Sequence, residues 1–223
     1  MLMKNNRILT FIPSVTLAAA LVLGAGCASH NYQQGSKTGA ALTAAAGKID
    51  DTKTRISAAL GALNDLVSNP SGDLSPKFNH FNDSVAALQS SADAANYKFK
   101  DLENSGKRYF DEWEKQLAAI QNTEIKNASA ARKQDVMQKF LDVRRRYLQV
   151  QINLNPFLSD LHDIQTALGT DLTIGGVNSV KDATNKATQD SVPLNASLDQ
   201  LSAGFKALGS DMSSYGPAAS ATP

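Results

Sequence analysis

Cysteine occurs once in the 223-residue chain, tryptophan once and histidine three times. A single cysteine excludes a disulfide framework, so stability has to come from packing. The histidines, His30, His80 and His162, form neither a Cys/His cluster nor an HExxH spacing, which excludes the common zinc patterns. Basic and acidic residues nearly balance, 22 against 21, so the clustered positive field that holds nucleic acid is missing. Beyond the first 26 residues no apolar run approaches the roughly 18 of a membrane-spanning helix, and no strand-like alternation is sustained. The one Gly-Gly pair, Gly175-Gly176, follows no strand and carries no phosphate-binding lysine, and no Ser/His/Asp set sits on a strained turn. The expectation is a protein that is not an enzyme, with no cofactor, no metal and no small-molecule substrate.

What is present begins at the N-terminus. Lys4 and Arg7 precede an apolar stretch from Ile8 to Leu23, which ends in the small residues Gly24, Ala25 and Gly26 before Cys27. Basic, apolar and small regions in that order read as an export signal, and Pro13 together with the short length argues against a membrane span. The ending Ala25-Gly26-Cys27 resembles the bacterial lipobox, with Gly24 where leucine is usual and Leu23 displaced by one. That resemblance implies diacylglyceryl transfer to the Cys27 thiol and cleavage just before it. Two or three acyl chains, at about 0.8 kcal/mol per buried CH₂, hold a protein stably on a bilayer. Ala28, in place of the aspartate that retains such proteins at the inner membrane, favours the periplasmic face of the outer membrane in a Gram-negative cell. Cleavage removes two of the basic residues and none of the acidic ones, turning the formal net charge from +1 to −1.

The remaining chain divides by composition. Residues 27–38 are small and polar and read as a lipidated tether, residues 39–212 as a helical domain, and residues 213–223 as a disordered tail. Within the domain, Leu42, Ile49, Ile56 and Leu63 recur every seven residues, with Ala45, Thr52, Ala59 and Leu66 three positions after each. The same alternating spacing runs from Phe78 to Trp113, from Val136 to Leu168 and, through a polar first half, from Val177 to Met212. Asn69-Pro70-Ser71-Gly72 closes the first stripe. Ser75, ahead of Pro76, is a candidate cap for the second helix, which is expected to reach Asn122; Asn127 or Ser129 is a candidate cap for the third. Pro156 lies inside a stripe that continues in phase, so a local kink is expected there rather than an end. Short turns between long helices make neighbours antiparallel, and the fold expected is all-α: an elongated antiparallel helical bundle or coiled coil of about four helices.

Two short segments carry a second resemblance. Tyr109-Phe110-Asp111-Glu112-Trp113-Glu114 and, further on, Arg144-Arg145-Arg146-Tyr147 resemble a bacterial family of uncharacterised long-helix proteins often found behind a lipobox. The likeness extends over about Lys48 to Leu208 and implies fold and location but no activity. Trp113 falls on the apolar stripe and is expected to pack. In heptad terms Glu112 and Arg146 both occupy g positions, so a turn centred near Ser129 brings them together as a register-setting ion pair; a turn nearer Glu124 shifts the pairing by about two turns. Arg144, Arg145 and Arg146 are alternatively a fork-bearing cluster for an anionic partner or headgroup. His162, between Leu161 and Asp163, is expected on a solvated flank. The function expected is that of a membrane-anchored envelope lipoprotein, structural or interaction-mediating, with the membrane and an envelope protein as partners and no nucleic acid. A membrane-active helical protein shaped like α-helical pore-forming toxins is the alternative.

Overall fold

The computed structural model describes residues 25–213, with side chains from residue 32 onward. These residues form five helices and no strand: α1 (Ala25–Ser68), α2 (Ser75–Ala119), α3 (Thr123–Thr170), α4 (Ile174–Ser179) and α5 (Lys181–Met212). The export signal falls mostly, and the tail from residue 214 wholly, outside them. At 1.5 Å per residue the 48 residues of α3 run about 72 Å, far longer than wide.

Each boundary has a local cause. Between α1 and α2 the chain turns at Gly72, whose φ of 68° suits a residue without a Cβ. Ser75 is the first helical residue rather than the cap: Leu74 holds the cap position without a side-chain bond, the Asp73 carboxylate before it accepts the Ser75 N–H at 3.0 Å, and Pro76 occupies the first turn. α2 ends at Ala119, earlier than the sequence suggests, and the cap of α3 is Asn122, whose side chain accepts the Ile125 N–H at 3.0 Å. Asn127 and Ser129 are therefore interior to α3. The helix continues through Pro156, as the unbroken stripe requires, and α5 likewise continues through Pro193. The fourth expected helix is two: a single short α4, capped by the Thr173 hydroxyl on the Gly176 N–H, is set off from α5 at Val180.

The four long helices form a ring in which α1 neighbours α2 and α5, α3 neighbours α2 and α5, and the backbones across each diagonal stay apart, with only side chains reaching over. All four seams are antiparallel. Thr52 meets Ser91 across the first, Asn82 meets Gln165 across the second, Asn153 meets Ser197 across the third and Asp50 meets Ser202 across the last. The stripe positions face inward: Leu42, Ile56, Leu63, Leu88, Phe81, Phe157, Leu161 and Leu168 are buried, and so are Thr184, Ala187 and Ser191 in the polar half of α5. Every fully buried Leu, Ile or Phe contributes about 1.5–3 kcal/mol.

The segment expected as a tether is helical and packed. α1 runs without a break through residues 32–38, Gly35 lies against the Tyr109 ring, and the Thr38 hydroxyl is buried, donating to the Gln34 carbonyl at 2.9 Å. Small residues that read as linker are small because neighbouring elements approach there. The closest approach is between α1 and the end of α5, where a Cβ on Gly39 would lie 2.7 Å from the Gly209 carbonyl oxygen. Since α5 stops at Met212 beside Gly39, the last part of the rod is built by α1, α2 and α3.

Glycines in α1 should consequently respond to substitution with opposite signs. Gly39→Ala forces backbone apart and should cost about 1–3 kcal/mol in urea unfolding. Gly47→Ala and Gly61→Ala, where a Cβ would meet nothing within 4 Å, should each gain roughly 0.5–1 kcal/mol. Equal responses at the three sites would contradict the α1–α5 contact.

Candidate functional site

The two family-like segments lie on adjacent helices at different heights of the α2–α3 seam, Trp113 opposite Ser129 and Arg144 opposite Glu103. Gly106 makes room for Phe140, whose ring atoms would lie 2.4 Å from a Cβ placed there. Phe140 meets Phe110 edge-on at 5.7 Å between centroids, Phe110 meets Tyr109 at 5.4 Å, and Tyr109 meets Trp113 at 5.5 Å. Such tilted contacts align the positive ring edge with the negative face of the neighbour. The Trp113 indole N–H donates to the Ser129 hydroxyl at 3.1 Å, leaving the ring half-buried with its polar atom satisfied. Burial raises the Tyr109 phenol above its ordinary pKa, with Arg132 acting in the other direction. Trp113 thus packs, as its stripe position implies.

Further along, Tyr147 stacks on Phe99 with centroids 3.6 Å apart, and Phe205 of α5 leans on Phe99 at 6.5 Å. The Tyr147 hydroxyl donates to the Asn96 side-chain oxygen at 2.7 Å. Burial, reinforced by the nearby Glu103 carboxylate, pushes this phenol up to about 12.

The three arginines are engaged within the chain. Arg144 pairs with Glu103 of α2 at 2.7 Å; Arg145 and Arg146 both reach Asp142, at 3.1 and 2.7 Å; and Arg146 also donates to the Gln200 carbonyl of α5. Hydrogen bonding from Arg146 holds the Asp142 carboxyl below its ordinary range. The expected Glu112–Arg146 pair does not form. Glu112 accepts from Gln116 and Lys115 on its own helix, while the α2–α3 partner near that height is Glu114, which pairs with Lys133. The cause is the turn: with Asn122 as cap the hairpin closes several residues earlier than Ser129, and every pairing across it shifts. Arg146 and Lys139 line a groove of about 820 Å³ between α3 and α5, together with Asp142, Asp211 and Gly204. Both cations there have acidic partners, so the groove offers no cationic patch.

His162 is exposed and hydrogen-bonds Gln165 on its own helix, and neighbouring Asp160 pairs with Lys186 of α5. No three His, Cys, Asp or Glu residues among those described converge on a metal position. What the sequence reading missed is a polar seam along α1. The Ser202 hydroxyl and the Lys206 ammonium both donate to Asp50, and Ser91 donates to Asp51 while bonding buried Thr52. Burial works to raise the Asp50 carboxyl, but these two donors outweigh it and hold it below its usual range. The available signal was Thr52 at a stripe position, since a buried hydroxyl needs a partner.

A family described as protein of unknown function, DUF2959, matches residues 40–204. No curated protein and no solved structure matches the chain.

Two measurements check this geometry. Between pH 10 and 12 the unfolded chain gives up a phenolic proton that folded Tyr147 retains, so stability should fall across that window by about 2–3 kcal/mol. Tyr147→Phe should cost about 1 kcal/mol at neutral pH and remove most of the alkaline loss. In double-mutant cycles, Glu103→Ala and Arg144→Ala should couple by about 0.2–1 kcal/mol, the range for a largely exposed pair. Glu112→Ala and Arg146→Ala should instead add to within about 0.5 kcal/mol.

Proposed function

The chain belongs to the DUF2959 family, whose description assigns no activity, and we propose that it serves as a lipid-anchored rod in the cell envelope, holding or bridging envelope proteins rather than transforming a substrate. The observation that carries this reading is the order of features at the N-terminus: a basic segment, an apolar segment, small residues and the lone Cys27, followed directly by a helix that enters the core. Acyl chains on Cys27 would attach the membrane to α1, and α1 contacts both α2 and α5 along its length. Force or position imposed at the anchor is then passed to the whole bundle. An outer-membrane, periplasm-facing site follows from Ala28 in a Gram-negative cell.

Further support comes from how the polar groups are used. Interhelical pairs such as Arg144–Glu103, Lys206–Asp50 and Lys186–Asp160 occupy charges that an active site would leave converging on a cavity. The pore-forming alternative finds nothing in its favour, since no described helix is long and apolar enough to cross a membrane.

Labelled palmitate should enter the full-length wild type and be absent from Cys27→Ala. The wild type should sediment with membranes through a high-salt wash, while the variant should be released as soluble protein. Equal labelling of the two would remove the anchor, and the envelope reading with it.

A further inference from the structure

We propose that the end of the rod at the α2–α3 turn is a foot that rests on an anionic lipid surface, an inference that depends on the Cys27 anchor above. Position is the first argument. Gly35 of α1 lies against Tyr109 of α2. Eight residues before Gly35, α1 reaches Cys27, about 12 Å further along, and ten residues after Tyr109 α2 ends at Ala119, about 15 Å further in the same direction. Trp113 meets Ser129 across the second seam, so the first turn of α3 lies at this height as well. An acyl group on Cys27 would therefore bring lipid level with the turn at Ile120 to Asn122.

The side chains at that end have the chemistry of a bilayer boundary. Tyr32 is 60% exposed and Ile125 58%, and each leaves a large apolar body in solvent at the same end of the rod. Tyrosine, with an apolar ring and a polar tip, suits the headgroup level. Lys115 keeps its side chain 74% exposed, at the outer edge of hydrogen-bond reach of Glu112 at 3.5 Å, and Lys126 makes no ion pair among the described residues. Beside headgroup phosphates such ammonium groups gain in proportion to the negative surface potential.

Charge along the rod agrees. In the turn-proximal section, residues 32–39, 106–139 and 209–213, eight basic residues face six acidic ones. At the opposite end, residues 60–83 and 160–188, three basic residues face seven acidic ones. An anionic surface attracts the first end and repels the second, so the rod stands with its acidic end away from lipid.

The test uses the full chain, reconstituted into phosphatidylglycerol–phosphatidylcholine vesicles. Ile125→Cys and Ile174→Cys, both at exposed positions at opposite ends, are labelled with a thiol-reactive nitrobenzoxadiazole, and quenching by headgroup-nitroxide lipid is read. Quenching should be several-fold stronger at residue 125 than at 174, and Lys115→Glu with Lys126→Glu should weaken it roughly two-fold or more. Equal quenching at both ends, none at 125, or an unchanged value in the double variant would overturn the foot. The wild type, without an added cysteine, should take up no label. Uptake by the wild type would show a free Cys27 thiol and so bring down the anchor itself, an outcome distinct from an anchored protein whose residue 125 stays unquenched.

Discussion

A four-helix core is one side chain deep at every height, so volume withheld by one helix has to be supplied at the same height by its neighbours. In this rod α1 withholds it at Gly39 and Ala45. Beside Ala45 and Ile49 stand Phe99, Tyr147 and Phe205, leaving almost no void between them. Where Gly39 and Gly209 touch, backbones close the space themselves. The aromatic rings gather on the α2–α3 side, where Phe140 fills the place Gly106 leaves open. Helices consequently lie close around α1 and further apart between α2 and α3, and the ring of four stays filled although its seams differ in width.

Apolar packing of this kind tolerates sliding by a heptad, because a shifted stripe still meets a stripe. Polar contacts restrict it. Thr52 with Ser91, Asn153 with Ser197, Asn96 with Tyr147 and Asp50 with Ser202 each join one helix to the next at a defined height. Most lie on the seam flanks, where partial exposure keeps their energies modest, and a wrong register would lose several together while stranding buried hydroxyls such as those of Thr52 and Ser202.

Periodicity made the architecture legible. Leu42 to Leu66, Phe81 to Leu102 and Val136 to Leu168 fall inward as their spacing requires, because burial of a stripe is a property of the helix that carries it. Register is a property of two helices and a turn, and no single segment determines it. Asn122, Asn127 and Ser129 are all chemically competent caps, and nothing local to them says which one closes the hairpin. A turn at Ser129 would set Glu112 opposite Arg146, whereas the structure sets Glu103 against Arg144 and Glu114 against Lys133. Residues 32–38 were opaque for a related reason. Gly35, Ser36 and Thr38 have the composition of a linker, and only the positions of Tyr109 and Met212 reveal that smallness there serves packing.

Seams closed on both sides also govern how such a chain can change its length. A residue added within α2 turns everything beyond it by about 100° and carries it 1.5 Å along, out of step with α1 on one flank and α3 on the other. Only insertions near a whole heptad, matched in each helix at the same height, restore the contacts. Within the described helices, short indels are thereby confined to the turns near Gly72, Asn122 and Thr173. The rod grows or shrinks in coordinated sevens or not at all.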